Sequence, residues 1–128
     1  MFRPPEIKKS RGVRRLAGAF MYSIDGLAAA FRGEAAFRQE VAAGIPLLIL
    51  ALFLDVPAIE KCALAGSVFA LWIVELLNSA VEECVNLASP GLHPLAKRAK
   101  DMASAAVFLA LAFAALVWGV VLWGALAG

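Results

Sequence analysis

Glu75, Asn78, Ser79, Glu82 and Asn86 recur at intervals of three and four residues. At about 100° per residue they share one face of a helix, with Glu83 at its margin. Lys97, Lys100, Asp101 and Ser104 follow the same rule at i, i+3, i+4 and i+7, and Glu34 and Arg38 stand at i and i+4. Carboxylates on separate helices suit a hard cation such as Mg²⁺, which takes oxygen ligands. A lysine beside them suits a phosphate group. A carboxylate drawn into apolar surroundings holds a proton more tightly, which fits a general base. The combination points to phosphoryl transfer at a membrane surface. A structural polar network tying helices together would use the same residue types. Asp55, Glu60 and Glu83 taken alone read as solvated interface charges. The chain has no G-x-x-x-x-G-K-[ST] and no kinase Gly-rich loop, so a P-loop or soluble-kinase site is excluded. The single His93 has no partner ligands for zinc.

The elements that must hold these groups are membrane helices. The 128 residues are 62% hydrophobic and 17% charged, whereas soluble domains carry about 25% charged residues. Three apolar segments are legible. The first is Val41 to Leu54, extended back through Glu34 because its uncharged part spans only about 21 Å of a core about 30 Å thick. The second runs from about Ala58 to Ala88 and the third from Met102 to Gly128. Pro57 suits the opening of the second, and Pro90, Gly91 and Pro94 mark the loop before the third. Pro46 lies inside the first span, where a membrane helix tolerates it. From Val13 to Phe31 apolar residues fall on one continuous face opposite Arg14, Arg15, Tyr22, Ser23, Asp25 and Arg32, the pattern of a helix lying in the interface. A soluble helix packed on a partner is the alternative.

Eleven of the 12 Lys and Arg residues precede the first span or surround the second loop, and Lys61 alone lies opposite. The N-terminus, the loop and all three polar clusters are therefore expected in the cytoplasm. Charges of both signs precede any long apolar run, so no cleavable signal peptide is expected. Cys62 and Cys84 are 22 positions apart on one helix, about 33 Å, and cannot pair. The expected organisation is residues 1–33 as cytoplasmic N-terminus and interfacial helix, and 34–128 as a three-helix transmembrane domain.

The stretches "EAAFRQE" (Glu34 to Glu40), "VELLNSAVE" (Val74 to Glu82) and "AKDMASAAV" (Ala99 to Val107) closely resemble the bacterial integral-membrane diacylglycerol kinases. The resemblance runs from about Arg15 to Trp123 in the same three-span order. It implies an all-α membrane protein, a homotrimer with active sites shared between subunits. It implies transfer of the γ-phosphoryl of ATP to diacylglycerol, giving phosphatidic acid with Mg²⁺ required, in the bacterial inner membrane and with no nucleic-acid partner. By resemblance Glu75 is the general base, and Glu34 and Glu82 hold the metal bridging the ATP phosphates. Lys100 and Asp101 sit at the nucleotide phosphates, Asn78 organises the site, and Arg15, Tyr22, Gly91, Leu92 and His93 line the rest of the nucleotide pocket. The lipid groove comprises Ala19, Phe20, Met21, Tyr22, Ser23 and Ile24, with Arg15, Ala28, Phe31, Ala36, Phe37, Arg38, Gln39 and Glu40, and Glu75, Ser104 and Trp118. The family usually has aspartate at Asn86, and often tryptophan and lysine at Ile24 and Asp25. The loop "SPGLHPLAK" looks more like the related undecaprenol kinases, whereas "EAAFRQE" and "DMASAAV" favour diacylglycerol. A small oligomeric transporter would place an ionisable group at mid-membrane, where Glu75 comes nearest. A structural scaffold would give no reason to align Glu75, Asn78 and Glu82 with Lys100 and Asp101.

Overall fold

The computed structural model describes residues 12–128. Arg3, Lys8, Lys9 and Arg11, which contribute to the charge asymmetry, lie outside the described residues. The chain forms four helices: α1 (Val13–Gly33), α2 (Ala35–Phe53), α3 (Ala58–Ala88) and α4 (Pro94–Ala127). The last three are each long and apolar enough to cross a membrane. With 31 and 34 residues, α3 and α4 span roughly 46 and 51 Å, well beyond a hydrocarbon layer of about 30 Å. Their polar ends therefore project past it.

The local chemistry explains each boundary. The apolar run read from Met102 is only the inner part of α4, which starts eight residues earlier at Pro94. Proline is pre-set for the first helical turn, and Nδ1 of His93 caps it by accepting the Leu95 N–H at 3.1 Å. Between α1 and α2 only Glu34 is non-helical, extended at φ −121° and ψ 108°. Its N–H still donates to the Ala30 carbonyl, and its own carbonyl accepts from Arg38. The Arg38 guanidinium donates back to the carbonyls of Phe31 and Arg32, at 2.9 and 3.0 Å, satisfying acceptors that the end of α1 leaves over. At the far end of the bundle, Lys61 Nζ does the same for the Leu52 carbonyl at 2.9 Å.

Helix α3 is the spine: it packs most extensively on α4, then on α2. The core gathers Ala51, Leu64, Val68, Trp118 and Val121 towards the α2–α3 turn. Inside it the Trp118 indole N–H donates to Ser67 Oγ at 3.1 Å, while the Ser67 hydroxyl donates to the Leu64 carbonyl at 2.7 Å. Helix α1 buries Ala30 and leaves Val13, Leu16, Phe20 and Met21 exposed. An apolar stripe that the bundle does not cover is what a helix lying in the membrane interface presents.

Candidate active site

Glu75 is 5% exposed, in the wall of α3 that faces α2. The carboxylates of Glu34, Glu40 and Glu82 lie within electrostatic reach of it. Ser79, also buried, continues the same face one turn on, and Asn78 Nδ2 donates to Glu82 Oε1 at 3.4 Å. Carboxylates from α2, α3 and the α1–α2 joint thus act on Glu75 at a distance, and none of the four forms a salt bridge with a lysine or arginine among the described residues. Such a cluster favours a bound cation that offsets its mutual repulsion. Among the described residues no group of three or more Asp, Glu, His or Cys side chains is placed to hold a metal ion by itself. Mg²⁺ does not need one, because it is commonly held by one or two carboxylates together with waters and substrate phosphates. The oxygen donors present fit that ion.

Three cavities are relevant, of which the first is lined by Glu34 and Ser79. A polar cavity of about 510 Å³ between α1 and α3 is lined by Ser23, Glu34, Ser79 and Glu83, with Leu27 and Leu76 at its edge. Leu27 and Leu76 also line an apolar groove of about 880 Å³ between α1, α2 and α3. The third cavity, about 510 Å³, lies at the α3–α4 connection and is lined by Asn86, Gly91, Leu92, His93, Lys100 and Asp101. There Lys100 Nζ donates to Asn86 Oδ1 at 2.7 Å, and Lys97 pairs with Asp101 at 2.6 Å. This pocket offers lysine side chains beside a glycine-containing loop, a combination suited to phosphate.

Residues 21–122 match the family described as prokaryotic diacylglycerol kinase. The chain belongs to this family. Among its relatives is the diacylglycerol kinase of Pseudomonas aeruginosa, 47% identical over 108 residues, which cover 84% of this chain and 88% of the relative. The Escherichia coli K12 diacylglycerol kinase is 47% identical over 100 residues, 78% of this chain and 82% of its own length. The Helicobacter pylori 26695 enzyme is 43% identical over 105 residues, 82% of each chain. Family membership makes this chain a lipid kinase, and the transporter and scaffold alternatives fall with it.

Within one chain of this kinase the anticipated residues separate into groups. Glu34, Glu40 and Glu82 lie within electrostatic reach of Glu75, and Asn78 donates to Glu82. Ser23 lines the polar cavity, and Ile24, Ala28, Phe31 and Phe37 line the apolar groove. Gly91, Leu92, His93, Lys100 and Asp101 share the third cavity. Its Asn86 wall lies 11 residues beyond Glu75 on α3, about 16 Å along the axis, so one chain does not bring lysine and base together. Arg15, Ala19, Phe20, Met21 and Tyr22 are exposed on α1, Ala36 and Gln39 on α2, and Ser104 on α4. Arg38 is engaged with the end of α1, and Trp118 stands in the core on Ser67 rather than in the groove.

Sequence reasoning set Glu83 aside, yet it lines the polar cavity with Glu34. It gave Glu40 to the lipid; the Glu40 carboxylate also lies within electrostatic reach of Glu75. The margin position of Glu83 on the wheel was the available signal; for Glu40 there was none before the α2–α3 packing was known.

Proposed function

We propose that this kinase transfers the γ-phosphoryl of ATP to the hydroxyl of diacylglycerol, yielding phosphatidic acid and ADP. The observation that supports the proposal is the place of Glu75: a buried carboxylate next in sequence to Leu76, which lines both the polar cavity and the apolar groove, and one turn from Ser79 of the polar cavity. A lipid anchored in the groove can present its hydroxyl to Glu75 without leaving the bilayer. Glu75 takes the hydroxyl proton, the acceptor oxygen bonds to the γ-phosphorus, and the bond to the β–γ bridging oxygen breaks to release ADP. Glu34 and Glu82 would hold Mg²⁺, which supplies charge neutralisation at the phosphates when bound. Asn78 orients Glu82 through its amide. Lys100, aligned by Asn86, holds a nucleotide phosphate beside the Gly91–His93 loop. Self-association into a homotrimer fits this separation, since the lysine pocket of one subunit can then meet the acidic cluster of the next. The charge asymmetry favours the inner membrane with the site on the cytoplasmic side.

Labelled ATP and Mg²⁺ are supplied to the purified protein in lipid micelles, with diacylglycerol and undecaprenol offered side by side. Label is expected in phosphatidic acid. Glu75→Gln is expected to lower kcat about 10²- to 10⁴-fold without changing the oligomer. Label confined to undecaprenyl phosphate would refute the acceptor, and undiminished turnover by Glu75→Gln would refute the base.

A further inference from the structure

Trp72 stands on α3 three residues before Glu75, about 4.5 Å along the helix axis. Its side chain crosses to α2. There its Nε1–H donates to the Glu40 carbonyl at 3.0 Å. Its six-membered ring lies over Gly44, where an added Cβ would come within 2.5 Å of Cζ2 and 2.8 Å of Val68 Cγ1. Glycine is therefore what admits the indole at this crossing. Phe69 meets the indole edge-on, with centroids 5.5 Å apart and planes at 90°, a favoured aromatic geometry. Hydrogen bond, glycine bed and ring edge hold Trp72 as a fixed wall rather than a mobile side chain.

Both Trp72 and Phe69 line the apolar groove, whose other walls include Phe37, Val41 and Ile45. An acceptor whose hydroxyl is at Glu75 must lead its apolar chain past Trp72 within the first turn of descent. We propose that Trp72 is a specificity-determining residue for the lipid acceptor. Seated on Gly44, its indole sets the width of the groove just below the base and disfavours chains that are branched close to the glycerol. The inference rests on the acceptor reading given above. A rigid apolar wall discriminates by the carbon atoms it excludes, and one methyl or methylene in such a pocket is worth about tenfold or more in kcat/KM.

The test compares kcat/KM for dipalmitoylglycerol, with straight chains, and diphytanoylglycerol, with methyl-branched chains of the same backbone length, in mixed micelles. Trp72→Leu is expected to raise the branched-to-straight ratio about tenfold. Trp72→Phe keeps a ring, loses the N–H and the larger area, and is expected to move the ratio the same way by less. It supplies the decision if the leucine variant does not purify folded. Gly44→Ala in the Trp72→Leu background fills the vacated bed and is expected to return part of the selectivity. Equal changes for both lipids, with the ratio unmoved in every variant, would show that Trp72 only braces α2 against α3 and would overturn the inference alone. Absence of transfer to either lipid by the wild-type protein would overturn the acceptor reading and this inference with it.

Discussion

Replacing Ser67 by alanine removes the acceptor from a buried indole N–H. Ser67 is 0% exposed and Trp118 7%. The serine hydroxyl is fully used: its proton goes to the Leu64 carbonyl at 2.7 Å and its oxygen accepts from Trp118 at 3.1 Å. Alanine frees the Leu64 carbonyl only of a second, local bond, because the helix retains its own. It leaves the Trp118 N–H unpaired in an apolar core. An unsatisfied buried donor costs about 1–3 kcal/mol in soluble proteins, whereas interhelical polar bonds between membrane helices average about 0.6 and reach about 1.7 kcal/mol. Ser67→Ala is therefore expected to destabilise by about 1–2 kcal/mol. Trp118→Phe loses the donor and some ring area. The double variant should cost less than the sum, with a coupling of about 0.6–1.7 kcal/mol. Reversible unfolding of the three variants in mixed micelles gives the cycle, and the kcat/KM of each for diacylglycerol is measured alongside. Strict additivity, within about 0.3 kcal/mol, would refute the bond. A raised KM for lipid in Trp118→Phe with unchanged stability would instead put Trp118 in the acceptor groove.

Further expectations concern the two polar pockets and the opposite end. Asn78→Leu removes the amide that donates to Glu82, and the Mg²⁺ concentration for half-maximal rate is expected to rise about 10- to 100-fold; magnesium titration at saturating ATP reads it. Lys100→Met removes one of the two lysines of the α3–α4 pocket, the one not paired with Asp101, and is expected to raise the KM for ATP while leaving that for lipid unchanged, which steady-state kinetics separates. Lys61→Met forfeits the contact with the Leu52 carbonyl, worth below about 1 kcal/mol at an exposed helix end; a small fall in thermal stability with full turnover is expected.

Much of the architecture was legible because each helix announces itself locally. The apolar runs, the prolines at 57, 90 and 94, and the i, i+3, i+4 spacing of Glu75, Asn78 and Ser79 all report on one helix at a time. The backward extension of the first span followed from length alone, but it was carried through Glu34, the residue at which the backbone breaks and after which α2 begins. Packing between helices was not legible. Gly44 reads as one more small residue in an apolar run until α3 lays Trp72 upon it. Trp118 stands with the lipid groove by resemblance, and nothing in the sequence links it to Ser67, 51 residues away, on which its indole N–H rests. Periodicity shows which residues share a face, but only the crossing of two helices decides which face meets which. The same limit hides from the sequence that Glu40 lies within electrostatic reach of Glu75.

The joint at Glu34 has a consequence for how this sequence tolerates change. Surface connections between helices usually accept insertions, because closing a slightly longer loop costs little entropy. Here a single residue separates α1 from α2, and both its backbone groups are tied to neighbouring turns. There is no slack to absorb added length. One extra residue would turn everything upstream by about 100° about the helix axis, rotating the exposed apolar stripe of α1 relative to the bundle and breaking the reach of Arg38 to Phe31 and Arg32. Length variation at this point is therefore expected to be as damaging as loss of a charged group, although no side chain would have changed.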